Sequence, residues 1–387
     1  MPPAATMICL LSMTAAGMAT GYESMLGIMF TTIGTMLGWT ETPAASTFCR
    51  ARKKLTDAMF DQLRSAIHHA AGRALNDYMP RIRGHRVVAI DGSWITAPNS
   101  PHLRKVLGLH RIGPKRHSMK RPQVLLVVLT DALTRLPIAR VVLPGNGSER
   151  DAAKELLHHL KHDDILLADR GYQGREMLAA IHATGCRYVL RVPRGKGAWR
   201  EFRALQTRRV RDATVNVRVA DQQIRIRHIR VSGGPGRPRV NSKRETQFLL
   251  TNLPTSWSAK RISALYAARW GIETMFRELK VTLEGAKLTS RTVAGVIQEL
   301  DACCIHLIIA SYLDIAALTE AGSIAMRSHL TVNRSALLMI IMIILILPDD
   351  NPERRKRAAM ASIALAQRAQ RKRPGRYAPR KKKMFTR

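Results

Sequence analysis

Apolar and polar positions change rhythm several times along the chain, and each change marks a different kind of element. Up to about residue 80 the pattern is helical. Thr42-Pro43 reads as an N-cap followed by proline at the first helical position, and a further helix is predicted from about Thr56 to Asn76. From Arg81 short continuous apolar runs take over. His85 to Asp91 ends on an acid, and Val124 to Thr130 and Leu136 to Leu143 follow as two strands joined by a turn at Asp131-Ala-Leu-Thr-Arg135. A helix is predicted from Ser148 to about Leu160. Ile165 to Asp169 is a second apolar run ending on an acid. Continuous apolar runs belong to central strands buried on both faces. In open α/β sheets function gathers at the carboxyl ends of such strands, so Asp91 and Asp169 become candidates.

Between about 185 and 250 strand-like segments (Tyr188–Val192, Thr214–Ala220, Gln223–Val231 and Thr246–Leu253) alternate with basic clusters, which predicts an antiparallel, β-rich insertion. Its Gly233-Gly-Pro-Gly-Arg-Pro-Arg239 stretch reads as a flexible basic loop. The next segment, Tyr266 to Lys280, reads as one helix. At about 100° per residue, Tyr266, Arg269, Glu273 and Lys280 fall within a stripe roughly 60° wide. Leu265, Ile272, Met275, Phe276 and Leu279 occupy the adjacent arc. One acid flanked by anion-binding groups is thus set beside an apolar docking edge. Ala336 to Leu347 is an apolar run too short to span a bilayer and predicts a buried helix. Residues 351–387 hold 14 Lys or Arg against one acid, Glu353, and read as part helix and part basic arm.

Charge sharpens the picture. Across 387 residues, 63 Lys and Arg face 28 Asp and Glu, a formal charge of +35. Self-repulsion on that scale is tolerated where a polyanion is the partner, nucleic acid first. The apolar content of 46% excludes wholesale disorder. No basic stretch precedes the apolar first 40 residues, and Glu23 interrupts them, which argues against a signal peptide. Cys9, Cys49, Cys186, Cys303 and Cys304 are odd in number and lack CxxC spacing. They suit reduced, core-packed thiols in a cytoplasmic compartment rather than a disulfide framework or zinc ribbon. His158 and His162, four apart, lack further ligands and read as a surface helix end.

Three acids stand out: Asp91, Asp169 and Glu273. Brought together they would repel one another unless cations held them. Oxygen-only donors suit Mg2+ or Mn2+, and two such ions can drive phosphodiester chemistry. The helix carries a Tyr-(2)-Arg-(3)-Glu-(6)-Lys pattern at Tyr266, Arg269, Glu273 and Lys280. With Ile90-Asp91-Gly92 and Asp169-Arg170-Gly171-Tyr172, the chain resembles DDE transposases of bacterial insertion sequences, insertion-sequence-4 group. Ser46 to Leu55 and, loosely, Arg373 to Arg380 resemble the flanking regions of that group.

The resemblance implies an α/β, ribonuclease H-like catalytic core at 81–315 with the β-rich insertion at 185–250. A DNA-binding helical module at 1–80 and a helical, basic region at 316–387 would flank it. It further implies that Asp91, Asp169 and Glu273 ligate two Mg2+ or Mn2+ ions. Tyr266, Arg269 and Lys280 would hold phosphates near the cleaved end. The implied activity is cleavage of element ends and transfer of a 3′-hydroxyl to target DNA. The expected partner is double-stranded DNA, bound by a homodimer at the nucleoid, with no membrane. A metal-dependent nuclease without strand transfer and a catalytically silent DNA-binding relative are the alternatives.

Overall fold

The computed structural model describes residues 1–14, 21–35, 37–109, 111–112, 117–118, 121–219, 222–232, 246–285 and 288–320. The basic loop at 233–239, the apolar run at 336–347 and the tail at 351–387 lie outside them. Four helices open the chain: α1 (Pro3–Thr14), α2 (Tyr22–Ile33), α3 (Ala45–Arg52) and α4 (Asp57–Leu75). The helix expected to begin at Thr42-Pro43 begins instead at Ala45. Pro43 favours extended backbone in the residue before it, and the chain stays extended through Ala44, whose ψ is 145°.

The core then runs β1 (Val87–Thr96), α5 (Pro101–Leu107), the short pair β2 (Arg111–Ile112) and β3 (His117–Ser118), β4 (Gln123–Asp131), β5 (Pro137–Pro144), α6 (Glu149–Leu156), β6 (Ile165–Ala168), α7 (Arg175–Ala183) and β7 (Arg187–Val192). It continues with α8 (Arg200–Thr207), β8 (Asp212–Val219), β9 (Gln222–Ser232), β10 (Thr246–Thr251), α9 (Ala259–Ala267), α10 (Trp270–Gly285) and α11 (Val293–Glu320).

Eight strands make one sheet in the order β5-β4-β1-β6-β7-β10-β9-β8. The hairpin β4–β5 extends β1 antiparallel, and β6 and β7 add to its other side in parallel. Third, second, first, fourth, fifth is the strand order of a ribonuclease H-like core, as expected. The segment from 185 to 250 is rich in antiparallel strands and prolongs the core sheet: β7 is the fifth core strand, parallel to β6, and β10, β9 and β8 follow it antiparallel. Each predicted strand exists, but the sequence pattern does not reveal that Tyr188–Val192 pairs in parallel with β6.

Strand alternation sorts the core. Val87 and Ala89 face one layer with Leu265, Ile272, Met275 and Leu300 of α9, α10 and α11. Val88 and Ile90 face the other, with Ala152, Leu156, Leu178 and Phe202 of α6, α7 and α8. Full burial of such a side chain contributes about 1.5–3 kcal/mol. Caps fix the entries: the Ser100, Ser148 and Ser258 side chains each accept a backbone N–H three residues on. Helix α11 is long and apolar enough to cross a membrane by composition, and 78% of that stretch is buried in the fold. Its Val296, Leu300 and Leu307 face the sheet, while Ala302 and Ile305 share a core with Leu10, Leu26, Phe48 and Phe60 of the first four helices.

Arg52, at the end of α3, is buried. It donates to Tyr22 Oη, Gln298 Oε1, Glu299 Oε1 and the Gly295 carbonyl, so it clamps α3 to α11. All five cysteines are free; Cys49 is half-buried and the others are buried.

Candidate active site

Asp91 lies within β1, not at its end. Pairing with β6 stops at Ile90–Ala168, whereas pairing with β4 runs on to Thr96–Gln123. Asp91 therefore stands where the two neighbours of β1 part, and Asp169 follows the last residue of β6. Strand alternation puts Asp91 on the side of Val87 and Ala89, the side covered by α10, which carries Glu273.

The expected single helix from Tyr266 to Lys280 is two. Between α9 and α10 the N–H groups of Ala268, Arg269, Gly271 and Ile272 bond to carbonyls three residues back, a tighter turn than an α-helix makes. Close packing accompanies this break: a Cβ on Gly271 would be driven into the Ala132 carbonyl oxygen of the β4–β5 turn. The common stripe consequently dissolves. Tyr266 is 5% exposed and Arg269 7%, whereas Lys280 remains exposed.

Arg269 joins the acids. Its Nη2 donates to Glu273 Oε1 at 2.5 Å, and its Nη1 lies 3.7 Å from Asp91 Oδ2. The guanidinium also sits over the Tyr266 ring, 5.7 Å from its centre, and the Tyr266 hydroxyl approaches the Ala168 carbonyl at 3.5 Å. Asp169 Oδ1 is buried without a hydrogen bond, and Arg191 Nη1 stands 4.0 Å from it. The three acids and Arg269 therefore form one electrostatic unit. Lys280, Arg277, Ser93, Asp91 and Glu273 line a cleft of about 390 Å³ over it.

A fourth acid, Glu149, reaches the unit from the opposite layer. Its carboxyl rests against Gly92, where a Cβ would come within 2.8 Å of Oε1. The buried Tyr172 hydroxyl donates to the same Oε1 at 2.5 Å. The glycine after Asp91 thus serves a close approach, and the tyrosine of Asp169-Arg-Gly-Tyr172 steers a carboxylate. Sequence reasoning missed Glu149 because an acid in the first turn of a helix is ordinary. The signal it offered was a glycine and a tyrosine at fixed offsets from the two aspartates.

Burial pushes the Asp91 carboxyl up to about 7, and Glu149 and Asp169 add to the rise while Arg269 and the Gly92 N–H oppose it. Burial raises the Tyr266 and Tyr172 hydroxyls as well, so both stay protonated donors. Among the described residues no group of three or more His, Cys, Asp or Glu stands close enough together to hold a metal ion; Arg269 ties up Asp91 and Glu273. The chemistry of the set nonetheless fits a hard cation. Its donors are all carboxylate oxygens, one of them buried without a hydrogen bond, and acids outnumber the cations among them. The two histidines flagged by spacing do not join it: His158 Nδ1 bonds to the Glu155 carbonyl and His162 is exposed.

Several known proteins resemble the chain over its core. The family model described as Transposase DDE domain matches residues 82–309. Transposase InsG for insertion sequence element IS4 of Escherichia coli (strain K12) is 25% identical over 226 residues, covering 55% of this chain and 48% of that protein. Putative transposase InsZ of the same organism is 27% identical over 145 residues, 37% of this chain and 47% of the relative. The chain thus spans about half the length of the curated relatives it matches. A cryo-EM structure of the piggyBac transposase synaptic complex with hairpin DNA aligns over 93% of this chain and 75% of that one, with 11% identity and a TM-score of 0.45. With that family matched over more than half of its length, the chain belongs to the transposase DDE domain family.

Proposed function

We propose that this chain is a DNA transposase that cuts the ends of its element and joins the freed 3′-hydroxyl to target DNA. The observation that carries the reading is the pairing of one guanidinium, Arg269, with both Asp91 and Glu273, beside Asp169, where β1 and β6 part. Asp91, Asp169 and Glu273, with Glu149 behind them, would hold two Mg2+ or Mn2+ ions. When bound, these cations make the attacking water or 3′-hydroxyl more acidic and offset charge on the leaving oxygen.

The remaining roles belong to side chains. Lys280, exposed in the cleft, meets a phosphate as a point charge. Arg269 holds Asp91 and Glu273, and with those acids engaged by cations its guanidinium would be available to the scissile phosphate. Tyr266, too buried to grip DNA directly, braces Arg269 and the end of β6. The partner is double-stranded DNA, drawn by the charge of +35, in the nucleoid of the cytoplasm. A homodimer would pair two ends. Residues 1–80 would aid DNA binding beside the catalytic core at 81–315 and the basic region at 316–387.

The test is a strand-transfer assay with Mg2+ and duplexes carrying the element ends. Wild-type protein is expected to cleave and join, and Asp91→Ala to do neither, with a loss of at least about a thousandfold. Cleavage without joining would reduce the reading to a nuclease. Binding without either reaction would make the chain a silent relative.

A further inference from the structure

Away from the acids, Arg194, Arg203, Arg209 and Arg230 line one cavity of about 810 Å³ between the end of β7, α8, β9 and the start of β10. The well-buried arginines of this fold are paired: Arg52 with Glu299, Arg140 with Asp301, Arg227 with Asp212. Among the described residues these four have no carboxylate partner, and Arg194, Arg203 and Arg209 are exposed. Four like charges around one space repel each other until an anion enters.

The walls are built rather than loose. The Gln206 side chain accepts from the Gly195 N–H and donates to the Pro193 carbonyl, tying the loop after β7 to α8. Arg209 holds a left-handed backbone, φ 55°, and its carbonyl accepts from Arg230 Nη1 at 3.4 Å. A non-glycine residue in that conformation costs about 1 kcal/mol or more, and such strain collects at functional positions.

Register locates the cavity relative to the acids. Ala168 pairs with Leu190, so Asp169 is level with Arg191; Val192 and Arg230 both pair with Phe248. Arg230 is therefore within about one residue of the level of Asp169, and three strands away across β7 and β10. At about 4.8 Å per strand that is about 14 Å within the sheet, and Arg230, sharing the face of Phe248, lies on the side of α6, α7 and α8, opposite the side that holds Asp91 and Asp169. Arg191, beside Asp169, lies along the same edge.

We infer that this four-arginine cavity is a second DNA-backbone site, which grips phosphates beyond the phosphodiester held at Asp91 and Asp169. The inference rests on the transposase reading for its substrate, but it is tested without catalysis. Arg203→Gln/Arg209→Gln alters two exposed side chains, and an unchanged melting temperature confirms the fold. Binding of a fluorescein-labelled duplex of mixed sequence is followed by anisotropy between about 50 and 200 mM NaCl. Each phosphate that is no longer gripped should flatten the slope of log K against log salt by about 0.9, so the double variant should flatten it by about 1.8. Lys161→Gln/Arg187→Gln removes the same charge from the opposite edge of the sheet, where β6 and β7 begin, and should leave the slope unchanged. A double arginine variant with the wild-type slope, or a control pair that flattens it equally, overturns the inference. A wild-type protein that binds but neither cuts nor joins would overturn the function proposed above and leave this site standing.

Discussion

Two buried clusters of acids and arginines can be set side by side. At Asp301 two arginines serve one carboxylate. Arg64 Nη1 and Arg140 Nε donate to Oδ1 at 2.6 Å each, and Arg140 Nη2 donates to Oδ2, from two different elements, α4 and β5. At Asp91 one arginine serves two carboxylates, Asp91 and Glu273, with Asp169 and Glu149 crowding in. One cluster has its acid fully satisfied; the other leaves a buried oxygen of Asp169 without a hydrogen bond. Both bury charge, so burial alone does not distinguish structure from chemistry. The balance of donors to acceptors does: a cluster that only holds a fold together closes its hydrogen bonds, whereas one short of positive charge has room for a cation.

The sharpest way to break that comparison is at Asp301. Asp301→Ala strands two guanidinium groups in the interior and should cost about 3–5 kcal/mol in urea unfolding. A loss below about 1 kcal/mol would remove the distinction between the clusters.

The site should behave in the opposite sense. Asp91 is held at about 7 against an ordinary 3.8, so the folded state binds its proton more tightly than the unfolded state. The resulting stabilisation is complete below about 3.8 and disappears as pH rises to about 7. Asp91→Asn, which carries no charge, should therefore melt a few degrees above wild type at about pH 8 in EDTA, with the gap closing at about pH 4. Equal melting curves at alkaline pH would mean that the carboxylates do not strain the fold.

The smallest effect tests Glu149. Gly92→Ala pushes the Glu149 carboxyl away from Asp91, and Tyr172→Phe removes its guide. Each should weaken Mn2+ binding several-fold by calorimetry, about 1 kcal/mol, with little change in melting temperature for Tyr172→Phe. Unaltered Mn2+ affinity in both variants would exclude Glu149 from the donor set.

Much of this was legible before folding. Val87–Ile90 and Ile165–Ala168 are apolar on both faces because both lie at the centre of the sheet, and that pattern survives in sequence. The acids that follow them were readable for the same reason. What escaped depends on contacts between distant segments. The break at Ala268 and Arg269 goes with the packing of Gly271 against the Ala132 carbonyl, 139 residues away. Glu149 enters from the opposite layer, so no helical spacing ties it to Glu273. The parallel partner of β7 is likewise a matter of topology, not of local pattern.

Helix α11 also sets a clock. The apolar faces of α1 to α4 close only on residues near 300; Arg52 and Gln298, which bond to each other, are 246 positions apart. At about 5–20 residues per second of synthesis, roughly 12–50 s pass between the emergence of one and the other. Throughout that interval Leu10, Met29, Phe48 and Phe60, all wholly buried in the finished fold, have no complete core to enter. The nascent chain therefore spends most of its translation with its first hydrophobic surface uncovered, at risk of aggregation and open to chaperones.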